Sequence, residues 1–178
     1  MNRRSFLTAS AAVLAAPTIL VRPARAWSSG ERILHMWNPR TEEVYHRVYH
    51  DGVDYIPQAI EEFDWFARDW RQKEVIPMSR ETMDFLSLIQ DEFGDDVPFH
   101  LLSGYRTRAT NEMLRKKSNG VARESFHMKG KALDITHDEL SLQDLAEFAR
   151  DAHQGGVGVY SQSHFVHIDS ANVRTWGS

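Results

Sequence analysis

The sequence predicts an α+β domain with a small antiparallel sheet and flanking helices. Three observations predict it. Apolar residues recur at helical spacing in several segments between Pro57 and Ala152, short strand-like runs cluster mostly in the second half, and Gly, Pro, Asn or Asp punctuate the junctions.

The elements follow in order. Ile33 to Met36 and Val44 to Tyr49 read as strands around the turn Asn38-Pro39-Arg40-Thr41, which makes a hairpin. Asp51-Gly52 breaks the chain. Pro57 suits the first turn of a helix that continues through Ala59, Ile60, Phe63, Phe66 and Ala67. Trp65 and Trp70 flank that face and are expected to pack. A second helix opens at Pro77 to Ser79, carries Met83, Leu86, Ile89, Gln90 and Phe93 on one face, and stops at Gly94. Phe99 to Leu102 reads as a strand, Asn111 to Lys117 as a helix with a basic end, and Ala132 to Ile135 as a short strand. Ser141 is a good N-cap for a helix to Ala152, ended by Gly155-Gly156. Val157 to Tyr160 and Phe165 to Ile168 make a last pair of strands. There is no internal repeat.

Residues 1–26 are expected to be a leader rather than fold. Arg3-Arg4-Ser5-Phe6-Leu7 is a twin-arginine sequence, a small-residue apolar run follows, and Ala24-Arg25-Ala26 offers a cleavage site before Trp27. The apolar run holds Pro17 and ends near Arg22, short of the ~20 residues that a membrane span needs. The product expected is a soluble protein, periplasmic or otherwise exported by the twin-arginine machinery, with no membrane anchor. Residues 27–178 suit one domain. The whole chain has net charge -4 from 21 basic and 25 acidic residues. Without the leader's four arginines, 17 basic residues face the same 25 acids, giving -8. That balance argues against a nucleic-acid partner and against adhesion to anionic lipid. There is no cysteine. Any metal site is therefore built from His and carboxylates.

Three stretches hold the residues with chemistry: Ser103-Gly104-Tyr105-Arg106, Ser125 to Asp134, and His164-Phe165-Val166-His167-Ile168-Asp169. Catalytic zinc takes three protein ligands and keeps a fourth position open. His127, Asp134 and His167 offer two imidazoles and a carboxylate. Gly130 lets the chain turn back between the first two. Strand alternation puts Asp134 beside the small Ala132, and puts Phe165, His167 and Asp169 on one face, with Val166 and Ile168 on the other. The other histidines, His35, His46, His50, His100, His137 and His153, read as ordinary surface or core residues. Singly, each of these groups has a bland reading; together and in this order they do not.

The order S-x-H-x-x-G-x-A-x-D, with Ser-Gly-Tyr-Arg upstream and a late strand His, resembles the zinc D-alanyl-D-alanine peptidases. That family includes carboxypeptidases, dipeptidases and murein endopeptidases, and its fold is shared with the N-terminal domain of Hedgehog. The sequence is similar to the exported branch, long known only as a domain of unknown function. Asp51-Gly52, Thr110-Asn111, Leu114-Arg115, Gly120-Val121-Ala122, Gly155-Gly156-Val157-Gly158 and Val173-Arg174-Thr175-Trp176 extend the likeness from Arg32 to Trp176. The resemblance implies Zn2+ held by His127, Asp134 and His167. It implies Arg106 as the group that binds the substrate carbonyl or carboxylate, and Ser125 as an orienting or substrate-contacting residue. The activity implied is hydrolysis of amide bonds in the stem peptides or cross-links of peptidoglycan.

One position departs from the family. Relatives carry an acidic general base three residues before the last ligand, where this chain has His164. A neutral imidazole can take a proton from water. Asp169 is the other candidate base, or else a support that fixes the tautomer of His167. Two alternatives to the peptidase remain at this stage: a non-catalytic, zinc-containing wall-binding module, and a zinc hydrolase with another substrate.

Overall fold

In the computed structural model, which describes residues 30–177, the chain opens with the hairpin expected of it. Strands β1 (Arg32–Asn38) and β2 (Glu43–His50) pair antiparallel around the Asn38 turn. The expected leader and its cleavage site lie outside the described residues. Helix α1 (Pro57–Phe66) starts with proline at its first turn. Helix α2 (Arg80–Phe93) is capped by Ser79, whose hydroxyl accepts from Thr82 N, and ends at Gly94 with φ 83°. Strand β3 (Phe99–Ser103) leads into α3 (Arg108–Lys117), capped by Thr107. A 3-10 turn (Phe126–Lys129) precedes β4 (Ala132–Thr136). Helix α4 (Leu142–Asp151) is capped by Ser141, as its sequence predicts. Strands β5 (Gly156–Tyr160), β6 (Phe165–Asp169) and β7 (Arg174–Gly177) close the chain.

The α+β class stands. The seven strands of the described residues join one sheet in the order β2-β1-β3-β4-β6-β5-β7. Four of the pairings are antiparallel, but β1–β3 and β5–β7 are parallel, so the sheet is mixed rather than purely antiparallel. Both parallel pairs join strands that are distant in sequence, which periodicity alone does not specify. Trp65 also departs from expectation. It lies off the stripe of Ala59, Ile60, Phe63 and Phe66 and is 53% exposed, with the Arg68 guanidinium 4.2 Å from its ring centre.

Alternation divides the sheet into two faces. Leu133, Ile135, Val157, Val159, Val166 and Ile168 are buried in one core with Met83, Leu86 and Ile89 of α2 and Leu145, Ala146 and Ala149 of α4. Burial of such side chains contributes about 1.5–3 kcal/mol each and pins the register. The opposite face of β4 and β6 is thereby committed to Asp134, His167 and Asp169. A one-residue slip would exchange the two sets.

Candidate metal centre

The register sets one row of residues across the sheet. Ser103 of β3 pairs with Asp134 of β4, Asp134 with His167 of β6, His167 with Gly158 of β5, and Gly158 with Trp176 of β7. The next row joins Ala132, Asp169, Gly156 and Arg174. His127 reaches the first row from the 3-10 turn. Ser125 caps that turn, its buried hydroxyl accepting from His127 N at 3.3 Å. Gly130 ends the turn in the left-handed region at φ 65°, where the chain reverses into β4.

His127, Asp134 and His167 converge and are all buried. His127 Nε2 lies 3.1 Å from Asp134 Oδ1 and 3.2 Å from His167 Nδ1, and His167 Nδ1 lies 2.8 Å from the same oxygen. The outer partners fix the protons. His127 Nδ1 is 2.7 Å from the Gly104 carbonyl, which can only accept, so this nitrogen carries the hydrogen. His167 Nε2 is 3.1 Å from Asp169 Oδ2 and donates to it. In the neutral imidazoles the two inward nitrogens are then bare. Two lone pairs and a carboxylate oxygen aim at one point, an arrangement that calls for a cation. Zinc bonds of ~2.0–2.1 Å place tetrahedral ligand atoms roughly 3.3 Å apart, close to the spacing seen. The donor set of two imidazoles and one carboxylate fits that metal.

The electrostatics keep His127 neutral and Asp134 ionised, and favour a proton on His167 until a cation displaces it. Burial, helped by the nearby Arg106 cation, lowers the His127 pKa to about 4, so the ring is neutral near pH 7. Burial alone would raise Asp134, but the permanent charge of Arg106, paired with its Oδ2, holds it well below the ordinary carboxylate range. Burial likewise opposes charge on His167, yet the carboxylates of Asp134 and Asp169 on either side of the ring raise its pKa.

Arg106 stands at the edge of the centre. Its Nη2 pairs with Asp134 Oδ2 and its Nε donates to Ser103 Oγ at 2.7 Å. A guanidinium has five N–H groups, so several remain for a ligand. Asp169 is buried and accepts from His167 Nε2, Ala171 N and both Arg174 Nη1 (3.0 Å) and Nη2 (2.6 Å). Burial works to raise its pKa, and these donors push it far below the usual value. His164 is exposed at the end of the β5–β6 connection, with φ 55°, and its ring makes no hydrogen bond or ion pair among the described residues. The structure thus brings Arg106, Ser125, His127, Asp134, His167 and Asp169 together and leaves His164 exposed, bonded to none of them.

Sequence reasoning gave no role to Arg174 and Trp176. The Trp176 ring sits 5.4 Å from that of His167 and donates through Nε1 to Tyr160 Oη. Both side chains reach β6 across β5 because β5 has glycine beneath them. A Cβ on Gly158 would lie 2.4 Å from the Trp176 ring, and one on Gly156 would lie 2.4 Å from the Arg174 guanidinium. The signal was present as glycine at alternate positions, Gly156 and Gly158, which in a strand marks close approach by another group.

Comparison with known proteins identifies the family. Residues 26–176 match the model of the M15 peptidase family described as peptidoglycan L,D-endopeptidase MepK. The chain belongs to this family. It is 37% identical over 177 residues to the peptidoglycan L,D-endopeptidase MepK of Escherichia coli K12, covering 98% of this chain and 97% of the relative. The MepK of Shigella flexneri matches equally. A probable peptidoglycan L,D-endopeptidase MepK of Haemophilus influenzae is 34% identical over 146 residues, 82% of this chain and 78% of that one. Membership of the MepK family makes the chain a peptidase of the metal-dependent M15 group, and the buried donor trio is a possible metal site within it. Among the described residues no helix is long and apolar enough to cross a membrane.

Proposed function

We propose that this protein is an exported, zinc-dependent endopeptidase that cuts L,D amide bonds in peptidoglycan cross-links during wall remodelling. One observation carries the reading: His127, Asp134 and His167 aim three lone-pair donors at one buried point, with proton positions set from outside by Gly104 and Asp169. The names of the relatives supply the substrate and the L,D specificity. Export, to the periplasm or beyond, rests on the Arg3-Arg4 leader and the apolar run behind it.

Zinc, when bound, supplies the Lewis acidity that polarises an amide carbonyl and makes water a nucleophile near neutral pH. The chain's own residues do the rest. His127, Asp134 and His167 hold the ion. Arg106 is anchored by Ser103 and Asp134 and directs its remaining N–H groups to the substrate carbonyl or carboxylate, a task suited to a permanently charged fork. Asp169, clamped by Arg174, keeps the His167 proton on Nε2. Asp169 is fully engaged by donors, so this reading assigns the proton of the attacking water to the exposed His164, three residues before His167. The non-catalytic alternative needs the three ligands and the Arg106–Asp134 pair but gives the remaining N–H groups of Arg106 no task.

The test is purified protein on intact peptidoglycan, with and without chelator, with zinc counted by elemental analysis. The expected result is chelator-sensitive release of peptides whose masses identify a cleaved L,D bond. Loss of no cross-link in the presence of one bound zinc would overturn the enzymatic reading.

A further inference from the structure

We propose that a basic cleft beside the metal centre, between α3 and residues 120–128, binds the free carboxylates of the peptide that flanks the bond to be cut. The inference rests on the peptidoglycan reading above. The cleft is about 420 Å³ and lies along the helix that starts directly after Arg106; Met128, next to His127, forms part of its wall. Arg108 and Arg115 line it from α3 with Lys116, and Arg123 faces them from the loop. Glu112 is the one acid among the lining residues. All four cations are exposed, and none has an ion-pair partner among the described residues. In a chain with more acids than bases, such a concentration of unpaired positive charge is unusual.

Basic residues at the end of α3 have an ordinary explanation, since Arg115 and Lys116 complement the helix dipole. Arg108 in the first turn stands at the wrong end for that, and Arg123 is not on the helix. A second observation points to a ligand. Asn111 is 1% exposed and lines the cleft, and its Nδ2 donates to the carbonyls of Ala122 and Arg123, tying the loop to α3. Its Oδ1 has no partner. An unmet acceptor beneath a ring of cations suits a peptide, which brings N–H groups as well as carboxylates. Stem peptides carry free carboxylates on their glutamyl and diamino-acid residues. Arginine forks match that geometry.

The test compares two substrates: a cross-linked stem-peptide dimer with free diamino-acid carboxylates, and the same dimer with those carboxylates amidated. Zinc-loaded wild type is set against Arg115→Glu/Arg123→Glu, changes that lie on the surface and leave the ligands alone. On the free-carboxylate dimer the variant should show KM raised about tenfold or more with kcat and zinc content unchanged, the pattern of lost uniform binding. On the amidated dimer the two proteins should be alike. An unchanged KM on the first dimer, or an equal loss on both, overturns the proposal. If wild type cuts neither dimer, the peptidase reading fails, and calorimetric binding of the two dimers still decides on the cleft: a Kd insensitive to amidation and to the double variant overturns it.

Discussion

Replacing Asp169 with Asn separates positioning from proton transfer. The carboxylate is fully buried and accepts from His167 Nε2, Ala171 N and two Arg174 nitrogens. An amide keeps one acceptor and sets an NH2 against the remaining donors. Arg174 can turn to water, because its side chain is 40% exposed, so its loss is modest. His167 cannot. Without an acceptor at Nε2 its proton is free to move to Nδ1, the nitrogen that faces His127 and Asp134, where it blocks a ligand position. Loss of such an outer partner weakens metal binding by about 10–100-fold, or about 1.4–2.7 kcal/mol. The assay is zinc affinity by chelator competition, followed by turnover on peptidoglycan at saturating zinc. If Asp169 acts only through His167, saturating zinc should restore most of the rate. If Asp169 were the base, a deficit of about 10²–10⁴-fold would persist with the site full. Zinc affinity unchanged from wild type, together with a lost rate, would refute the positioning role.

His164→Ala should keep its zinc and lose turnover by about 10²–10⁴-fold, while His164→Glu should recover part of the rate and extend activity to lower pH, since a carboxylate stays deprotonated further down; rate against pH, with metal content measured for each, checks both. Replacing Arg3 and Arg4 together with Lys should leave the precursor in the cytoplasm, and a normal mature form in the envelope would refute twin-arginine export. Asp69 is buried and accepts from Thr107 N and Oγ1 at 2.9 Å, which fixes the turn behind Arg106. Burial acts to raise its pKa, and hydrogen bonds from Thr107 and Arg71 N overcome this and lower it, so its contribution is present above the ordinary carboxylate pKa and is lost as pH falls through the depressed value. Asp69→Asn should therefore cost about 1–3 kcal/mol near neutral pH and flatten the acid limb of the stability curve, measured by thermal melts across pH. An unchanged Tm at pH 7 would show that Asp69 does not hold the turn.

Much of this centre was legible in the sequence, for reasons that particular residues make plain. His127 and Asp134 are seven apart with Gly130 between them, so local chain reversal brings them together without long-range information. In β6, alternation alone put His167 and Asp169 on one face and Val166 and Ile168 on the other, and the structure keeps that division. The rest was hidden where no period exists. Strand β7 has four residues, three of them exposed, so no apolar alternation marks it. Its parallel pairing with β5, and that of β1 with β3, depend on contacts between distant segments. His164 is a different case, because its candidacy came from the position it fills relative to His167 rather than from any pattern of its own.

The two rows across the sheet explain why this centre needs the end of the chain. His127, Asp134 and His167 could converge with β3, β4 and β6 alone. The proton on His167, however, is set by Asp169, and Asp169 is buried as an anion beside two buried histidines, a costly state without a countercharge. Arg174 provides that charge from β7, two strands away, and only because Gly156 leaves the space between them open. Trp176 follows the same route over Gly158 to the His167 ring. On the other side Asp134 is divided, with Oδ1 toward the imidazoles and Oδ2 toward Arg106. A carboxylate has lone pairs enough for both. Asp134 thus also anchors Arg106, and the position of that cation is tied to that of the donor trio.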